Sequence, residues 1–196
     1  MTYFLCSFIN LEELELYGTQ ISEIPSYAFR PIIGIQSKLS NIDFQDNKIE
    51  KIGNYSFYDL KNLKDLDFFN NPLTLISMNS FHFKDVSNRT FNLNLNYMNM
   101  LNGSSFAINS LSNIKRPTHI YLGRDPNLKF FDETIFLPFL ASNPKNKILL
   151  NSTYIHCDDC RSHWLVKESK YLDRFNKINC LNGNDIRSSN NFKNCK

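Results

Sequence analysis

Residues 63–81 read LKDLDFFNNPLTLISMNSF, and residues 39–57, twenty-four positions earlier, read LSNIDFQDNKIEKIGNYSF. Leu63, Leu66, Phe68, Asn71, Leu73, Ile76 and Phe81 thus correspond to Leu39, Ile42, Phe44, Asn47, Ile49, Ile52 and Phe57. Every apolar position returns apolar and the asparagine returns as asparagine. Chance does not produce such agreement, and a fixed period of this size marks stacked repeat units.

The ladder extends outward in both directions. Backward it runs through Leu11, Leu14, Leu16, Ile21, Ile24 and Phe29, with Thr19 in the asparagine position. Forward it is read as Phe91, Leu93, Asn96, Met98, Leu101 and Phe106. It then becomes irregular through Ile120, Leu122, Leu128, Phe131 and Phe136, and ends at Ile148 and Leu150. This makes about six units. Within each, a run such as Asp65-Leu66-Asp67-Phe68 alternates with the period of a strand, Leu66 and Phe68 inward, Asp65, Asp67 and Phe69 outward. One unit cannot bury its apolar edge alone, so neighbours stack and their strands form a parallel sheet. An inward asparagine amide at each turn can satisfy backbone groups that the turn leaves unpaired.

The pattern L-x-x-L-x-L-x-x-N-x-I-x-x-I, followed by a short A-F or S-F, resembles the extracellular leucine-rich-repeat family. The Ile24-Pro25-Ser26-Tyr27-Ala28-Phe29 stretch is similar to that family's convex side. The resemblance covers roughly residues 4–195 and is strongest over 11–106. It implies an α/β leucine-rich-repeat solenoid, with a curved parallel sheet on the concave face and short turns and helices on the convex face.

Of the five cysteines, Cys6 stands alone while Cys157, Cys160, Cys180 and Cys195 fall in the last forty residues. Cys157-Asp158-Asp159-Cys160, then Trp164-Leu165-Val166, then Cys180 and Cys195, resemble the four-cysteine C-terminal flanking module of extracellular repeat proteins. That resemblance implies Cys157–Cys180 and Cys160–Cys195 bridges, although the usual opening is C-x-C and this chain has C-x-x-C. It gives residues 1–150 as the solenoid, starting mid-array, and 151–196 as a cysteine-rich cap. A competing ligand set for zinc is His156, Cys157, Cys160 and His163, but a zinc ribbon wants two short C-x-x-C knuckles and Cys180 and Cys195 lie far apart. The expectation is disulfides, no metal and no cofactor. The cap pattern is also similar to arthropod repeat proteins resembling the non-catalytic subunit of crustacean luciferin monooxygenase, and to Toll- and Slit-like ectodomains.

The compartment follows from the cysteines more than from the start of the chain. Paired cysteines persist where the surroundings are oxidising. Four N-x-S/T sequons, at Asn54, Asn88, Asn102 and Asn151, agree with secretion, though an asparagine-rich chain acquires several by chance. Met1 to Asn10 lacks a basic start and a long apolar run, and Phe4 to Leu11 reads as the tail of a preceding repeat. Cys6 would be a buried repeat residue. A stretch of about 18 or more apolar residues, as a membrane helix needs, does not occur.

Function is expected on the outward strand positions. These read Glu13, Glu15 and Tyr17, then Asn41, Asp43 and Gln45, then Asp65, Asp67 and Phe69; later units give Thr90, Asn92 and Asn94, then His119, Tyr121 and Arg124. The first three strands build an acidic stripe with aromatic neighbours, suited to a basic protein partner, while solvated strand positions also tolerate any polar residue. Strand spacing does not wrap the carboxylates round one calcium ion. The net charge of +3 gives no case for nucleic acid. G-x-S-x-G, P-loop, G-x-G-x-x-G and H-E-x-x-H motifs do not occur, so the chain reads as non-catalytic. The reading is a secreted or cell-surface module that recognises a protein ligand. The alternatives are a non-catalytic subunit of a secreted enzyme complex and a fragment of a receptor ectodomain.

Overall fold

The computed structural model describes residues 10–30, 35–83, 87–188 and 191–195 of the 196-residue chain; Cys6 lies outside them. Along the chain come β1 (Glu13–Glu15), β2 (Glu23–Ile24), β3 (Asn41–Asp43), β4 (Lys51–Ile52), β5 (Asp65–Asp67), β6 (Leu75–Ile76), β7 (Phe91–Asn94) and β8 (Thr118–Tyr121). Then follow α1 (Glu133–Ser142), β9 (Lys147–Leu149), β10 (Tyr154–Ile155), α2 (Trp164–Lys167) and β11 (Asn179–Cys180). Among the described residues, β1-β3-β5-β7-β8-β9 form one long parallel sheet, and β2-β4-β6 form a second, shorter one.

Each coil contributes the same inward residue to the long sheet. Leu14, Ile42, Leu66, Leu93, Ile120 and Ile148 stand in direct register. All but the first strand's Leu14 are buried, so stacking hides the apolar edge that a single unit would expose. Behind this row the phenylalanines pile up: Phe57 stacks on Phe29 at 5.1 Å and on Phe81 at 5.8 Å, and Phe44 stacks on Phe68 at 5.3 Å. Offset aromatic pairs of this kind contribute about 0.5–1.5 kcal/mol each beyond area burial.

Repeated side chains bond many of the backbone polar groups inside the coils. The buried Asn71 amide donates to the Phe44 and Phe68 carbonyls, both at 2.9 Å, while its Oδ1 accepts from the Ile49 N–H at 2.9 Å. Ser56 donates to Gly53 O at 2.7 Å and Pro25 O at 2.9 Å; one coil on, Ser80 donates to Ser77 O and Gly53 O. The turn after each strand of the long sheet is made by one left-handed residue. Gly18, Asp46, Asn70, Tyr97, Arg124 and Ser152 all have φ between 54° and 62°. Only glycine takes that conformation freely, so the others are held there by the stack around them.

The fourth unit corrects one reading of the sequence. Leu93 pairs with Leu66, twenty-seven residues apart, so Leu95 takes the place of Phe68 and Met98 the place of Asn71. Asn96 therefore lies on the outward face, in line with Phe69, rather than in the asparagine position; the Asn70 N–H bonds its carbonyl at 3.1 Å. Phe106 bridges Ile76 instead of matching Phe81.

Beyond β9 the sheet is closed by side-chain and backbone contacts. Phe175 bridges Ile148, and Asn176 clamps Leu150 by accepting from its N–H at 2.6 Å and donating to its carbonyl at 3.0 Å. Cys157–Cys180 and Cys160–Cys195 are disulfide-bonded, with β10 pairing β11 between them. Trp164 is buried and donates from its indole Nε1 to Phe131 O at 2.8 Å, tying α2 to the last coils. Asp132 caps α1 by accepting from the Thr134 N–H at 2.8 Å. Among the described residues, no helix is long and apolar enough to cross a membrane.

Candidate recognition surface on the long sheet

Because every second strand residue points away from the core, the register of the long sheet converts the outward residues into rows. One row is Glu13, Asn41, Asp65, Asn92, His119 and Lys147; the next is Glu15, Asp43, Asp67, Asn94, Tyr121 and Leu149. A third continues through Tyr17, Gln45, Phe69 and Asn96. The surface therefore grades from carboxylates on β1, β3 and β5 to amides on β7 and to His119 and Lys147 on β8 and β9.

The second row sets three carboxylates, Glu15, Asp43 and Asp67, on consecutive strands about 5 Å apart, which is unfavourable unless bonded. Amides do that bonding. Gln45 Nε2 donates to Asp43 Oδ2 at 3.2 Å and to Asp67 Oδ2 at 3.1 Å, and Asn94 Nδ2 adds a third bond to Asp67 at 2.9 Å. The Gln45 and Phe69 N–H groups donate to Asp43 and Asp67, each at 2.7 Å. Asn92 does the same for Asp65 at 2.8 Å. Burial and the nearby Asp43 charge still hold the Asp67 carboxyl above the usual range, with these hydrogen bonds pulling the other way.

A shallow hollow of about 210 Å³ opens between these strands, lined by Asp65, Leu66, Asp67, Asn92, Asn94 and Tyr121. A larger hollow, about 480 Å³, lies in the cap between Leu172 and Arg187, away from the sheet face. At the far end of the rows His119 is held below its usual pKa by burial and by Lys147, so its imidazole is neutral at physiological pH.

Along one rim the aromatics form a chain of contacts. Phe69 and Tyr97 lie 4.8 Å apart, and the Arg124 guanidinium sits 4.9 Å from the Tyr97 ring centroid. Tyr17 is 64% exposed, and its hydrogen bond with Asp46 raises its pKa. Sequence alternation did not single out Asp46 or Tyr97, because both sit at the left-handed turn position, where the period of two ends. Lys147 could have been found by carrying the alternation one strand further.

The other residues singled out by sequence sit elsewhere. Asn54, Asn88 and Asn151 are exposed on turns, while Asn102 is half-buried and caps a short 3-10 turn by accepting from the Ser104 N–H at 2.8 Å. His163, one of the zinc candidates, stacks on Phe192 at 5.2 Å. No cluster of three or more metal-ligating side chains exists among the described residues.

A family model described as BspA type leucine-rich repeat region, in six copies, matches residues 22–131. No curated protein matches the chain. Among solved structures, the crystal structure of human 5T4 (Wnt-activated inhibitory factor 1, trophoblast glycoprotein) is similar, with 15% identity and a TM-score of 0.40. That match covers 95% of this chain and 87% of that chain.

Proposed function

Because the chain belongs to the leucine-rich-repeat family of the BspA type, we propose that it is an extracellular, non-catalytic module that grips a protein ligand on the concave, outward face of its long sheet. Leucine-rich-repeat domains typically serve protein–protein interaction, and the family is generally non-enzymatic. The observation that carries the reading is the graded face itself, with Glu13, Glu15, Asp43, Asp65 and Asp67 at one end and His119 and Lys147 at the other.

On this reading a basic side chain of the ligand enters the hollow beside Asp65, Asp67 and Tyr121, where Asn92 and Asn94 hold the carboxylates in place. Tyr17, Phe69 and Gln45 flank it, and the exposed Tyr17 ring supplies an aromatic anchor. Residues 1–150 act as the binding solenoid and 151–196 as its cap. The disulfides of the cap suit an oxidising compartment, with glycans on the exposed Asn54, Asn88 and Asn151 and, at the cost of its cap, on Asn102. An alternative reading, a non-catalytic subunit of a secreted enzyme complex, rests on the resemblance of the Cys157-Asp158-Asp159-Cys160, Trp164-Leu165-Val166 and Cys180 pattern to arthropod proteins of that kind.

The test is ligand capture by the secreted protein, compared with an Asp43→Lys/Asp65→Lys double variant and a control, Lys51→Glu, on the shorter sheet. The double variant is expected to lose at least about tenfold in affinity, equivalent to about 1.4 kcal/mol, with the control unchanged. Undiminished binding by the double variant overturns the reading.

A further inference from the structure

The position filled by Asn71 recurs once per coil just after the left-handed turn residue. Two coils further on, in register through Leu93 and Ile120, it is filled by Asp125. Asp125 is 2% exposed. Its Oδ1 accepts from the Met98 N–H at 2.6 Å, and its Oδ2 is buried with no hydrogen-bond partner. Asn71 has instead an amide nitrogen, whose two short bonds, at 2.9 Å, go to carbonyls of its own coil and of the one before. At Asp125 the equivalent carbonyls are those of Leu95 and Leu122, and Leu122 O takes a hydroxyl bond from Thr153 at 2.9 Å.

The match of position is not a match of bonds, since Asn71 accepts from Ile49 and Asp125 from Met98, two positions earlier in the previous coil. An ionised carboxylate cannot donate and leaves Oδ2 as an unpaired buried charge, whereas a protonated carboxyl has a donor to offer there, as the amide has. Burial favours the neutral form and pushes the Asp125 carboxyl up to about 7, with the Met98 bond the opposing effect. The charged and titratable groups that share a surface hollow with Asp125 are Arg124 and Lys129 from its own turn and Tyr154 from β10; Leu181 and Met98, its hydrogen-bond donor, add no charge. Among the described residues, no ion pair reaches Asp125. The Arg124 guanidinium is turned to the Tyr97 ring instead. The same turn is joined to the cap, since Lys129 O accepts from the His156 N–H at 2.8 Å and Arg124 N–H donates to Asn151 O at 2.8 Å.

We propose that Asp125 is a proton-operated latch: protonated, it fills the asparagine position and locks the Arg124–Lys129 turn between the last coils and the disulfide-bonded end. Deprotonated, it places an unpaired charge in the core and loosens that turn, and with it the Arg124–Tyr97 rim of the sheet face. A carboxyl whose folded pKa is raised contributes stability that is complete below the ordinary carboxylate range and is lost as pH rises through the folded value. The latch is therefore closed in mildly acidic surroundings and weakened above neutrality.

The experiment is thermal unfolding of the full chain and hydrogen exchange of its 122–130 segment between about pH 5 and about pH 9, in the parent, Asp125→Asn and Asp125→Thr. Asn is the residue of Asn71, and Thr is the residue that Thr153 places in the next coil. The parent Tm is expected to fall between about pH 5 and about pH 7 and to level off above it, while both variants stay flat over the same step and exceed the parent at the alkaline end. Exchange of the segment, relative to Asp125→Asn at each pH, is expected to accelerate only in the parent. Parallel profiles in parent and both variants overturn the proposal, as does a parent more stable at the alkaline end.

Discussion

Asn94 donates to Asp67 at 2.9 Å across the β5–β7 pair, so the amide of one coil cancels part of the charge of the coil before it. Replacing Asn94 by Asp would put a fourth carboxylate in line with Glu15, Asp43 and Asp67 and remove a donor. The expected loss is about 1–2 kcal/mol near neutral pH, combining a lost charged hydrogen bond with like-charge repulsion. The added repulsion exists only while the carboxylates are ionised. The penalty should therefore shrink as pH falls through the raised range of Asp67, in chemical unfolding of Asn94→Asp against the parent.

The asparagine position predicts a second contrast. Asn71 is 1% exposed and serves four backbone groups, whereas Thr19, in the first coil, bonds Asn47 Oδ1 at 2.5 Å and is half-exposed. Asn71→Ala leaves the Phe44 and Phe68 carbonyls and the Ile49 N–H without that partner, each worth roughly 1–3 kcal/mol when buried. Thr19→Ala should cost well under half as much. Urea midpoints of the two variants, at unchanged slope, check the difference.

How much of this was legible varies along the chain for physical reasons. The units from Leu39 and from Leu63 share one length, so alternation, asparagine and the closing Phe57 and Phe81 could be superposed directly. The next unit adds residues between Phe83 and Phe91, and its strand, β7, carries asparagine at both outward steps, Asn92 and Asn94. Asn96 then imitated the structural asparagine, and Met98, which occupies that place, gave no polar signal. Asp125 was invisible for the opposite reason: Arg124-Asp125-Pro126-Asn127 reads as a solvated turn, and only the stack of coils shows that its second residue points inward.

The disulfides should matter more to the last coils than to the first. They close loops of 23 and 35 residues, and each is expected to contribute about 3 kcal/mol in the chain-entropy account. In a stacked array each unit touches only its neighbours, so the loss of a bridge should propagate a short way. Hydrogen exchange after Cys157→Ala/Cys180→Ala should rise around β9, β10 and α2 and remain near the parent value at β3 and β5. Uniform loss of protection along the chain would contradict local stacking.

The rim of the sheet face offers a further contrast. Tyr97 is held in a left-handed conformation, with its ring between Phe69 and Arg124. Tyr97→Gly relieves the backbone and removes the ring; Tyr97→Ala removes the ring and keeps the strain, which costs of order 1 kcal/mol in a left-handed residue. Gly should therefore destabilise less than Ala, the reverse of the usual order in regular structure. Thermal unfolding of the pair decides it.

Among the described residues Arg116 is the largest fully buried side chain, and it joins three distant stretches of chain. Its guanidinium lies 3.9 Å from the Phe83 ring centroid and 5.1 Å from that of Phe91, while Nη1 donates to Lys61 O at 3.0 Å, fifty-five residues back in sequence. Arg116→Ala empties this space between the third and fourth coils, and a loss of roughly 3–5 kcal/mol is expected, the scale of a large core truncation. Arg116→Met keeps most of the volume against Phe83 and Phe91 but leaves the Lys61 carbonyl without this donor, so its loss should be nearer 1–3 kcal/mol. Equal losses for the two variants would mean that the hydrogen bonds, not the packing between rings, hold these coils together; urea unfolding at one pH, with unchanged slope, separates the two cases.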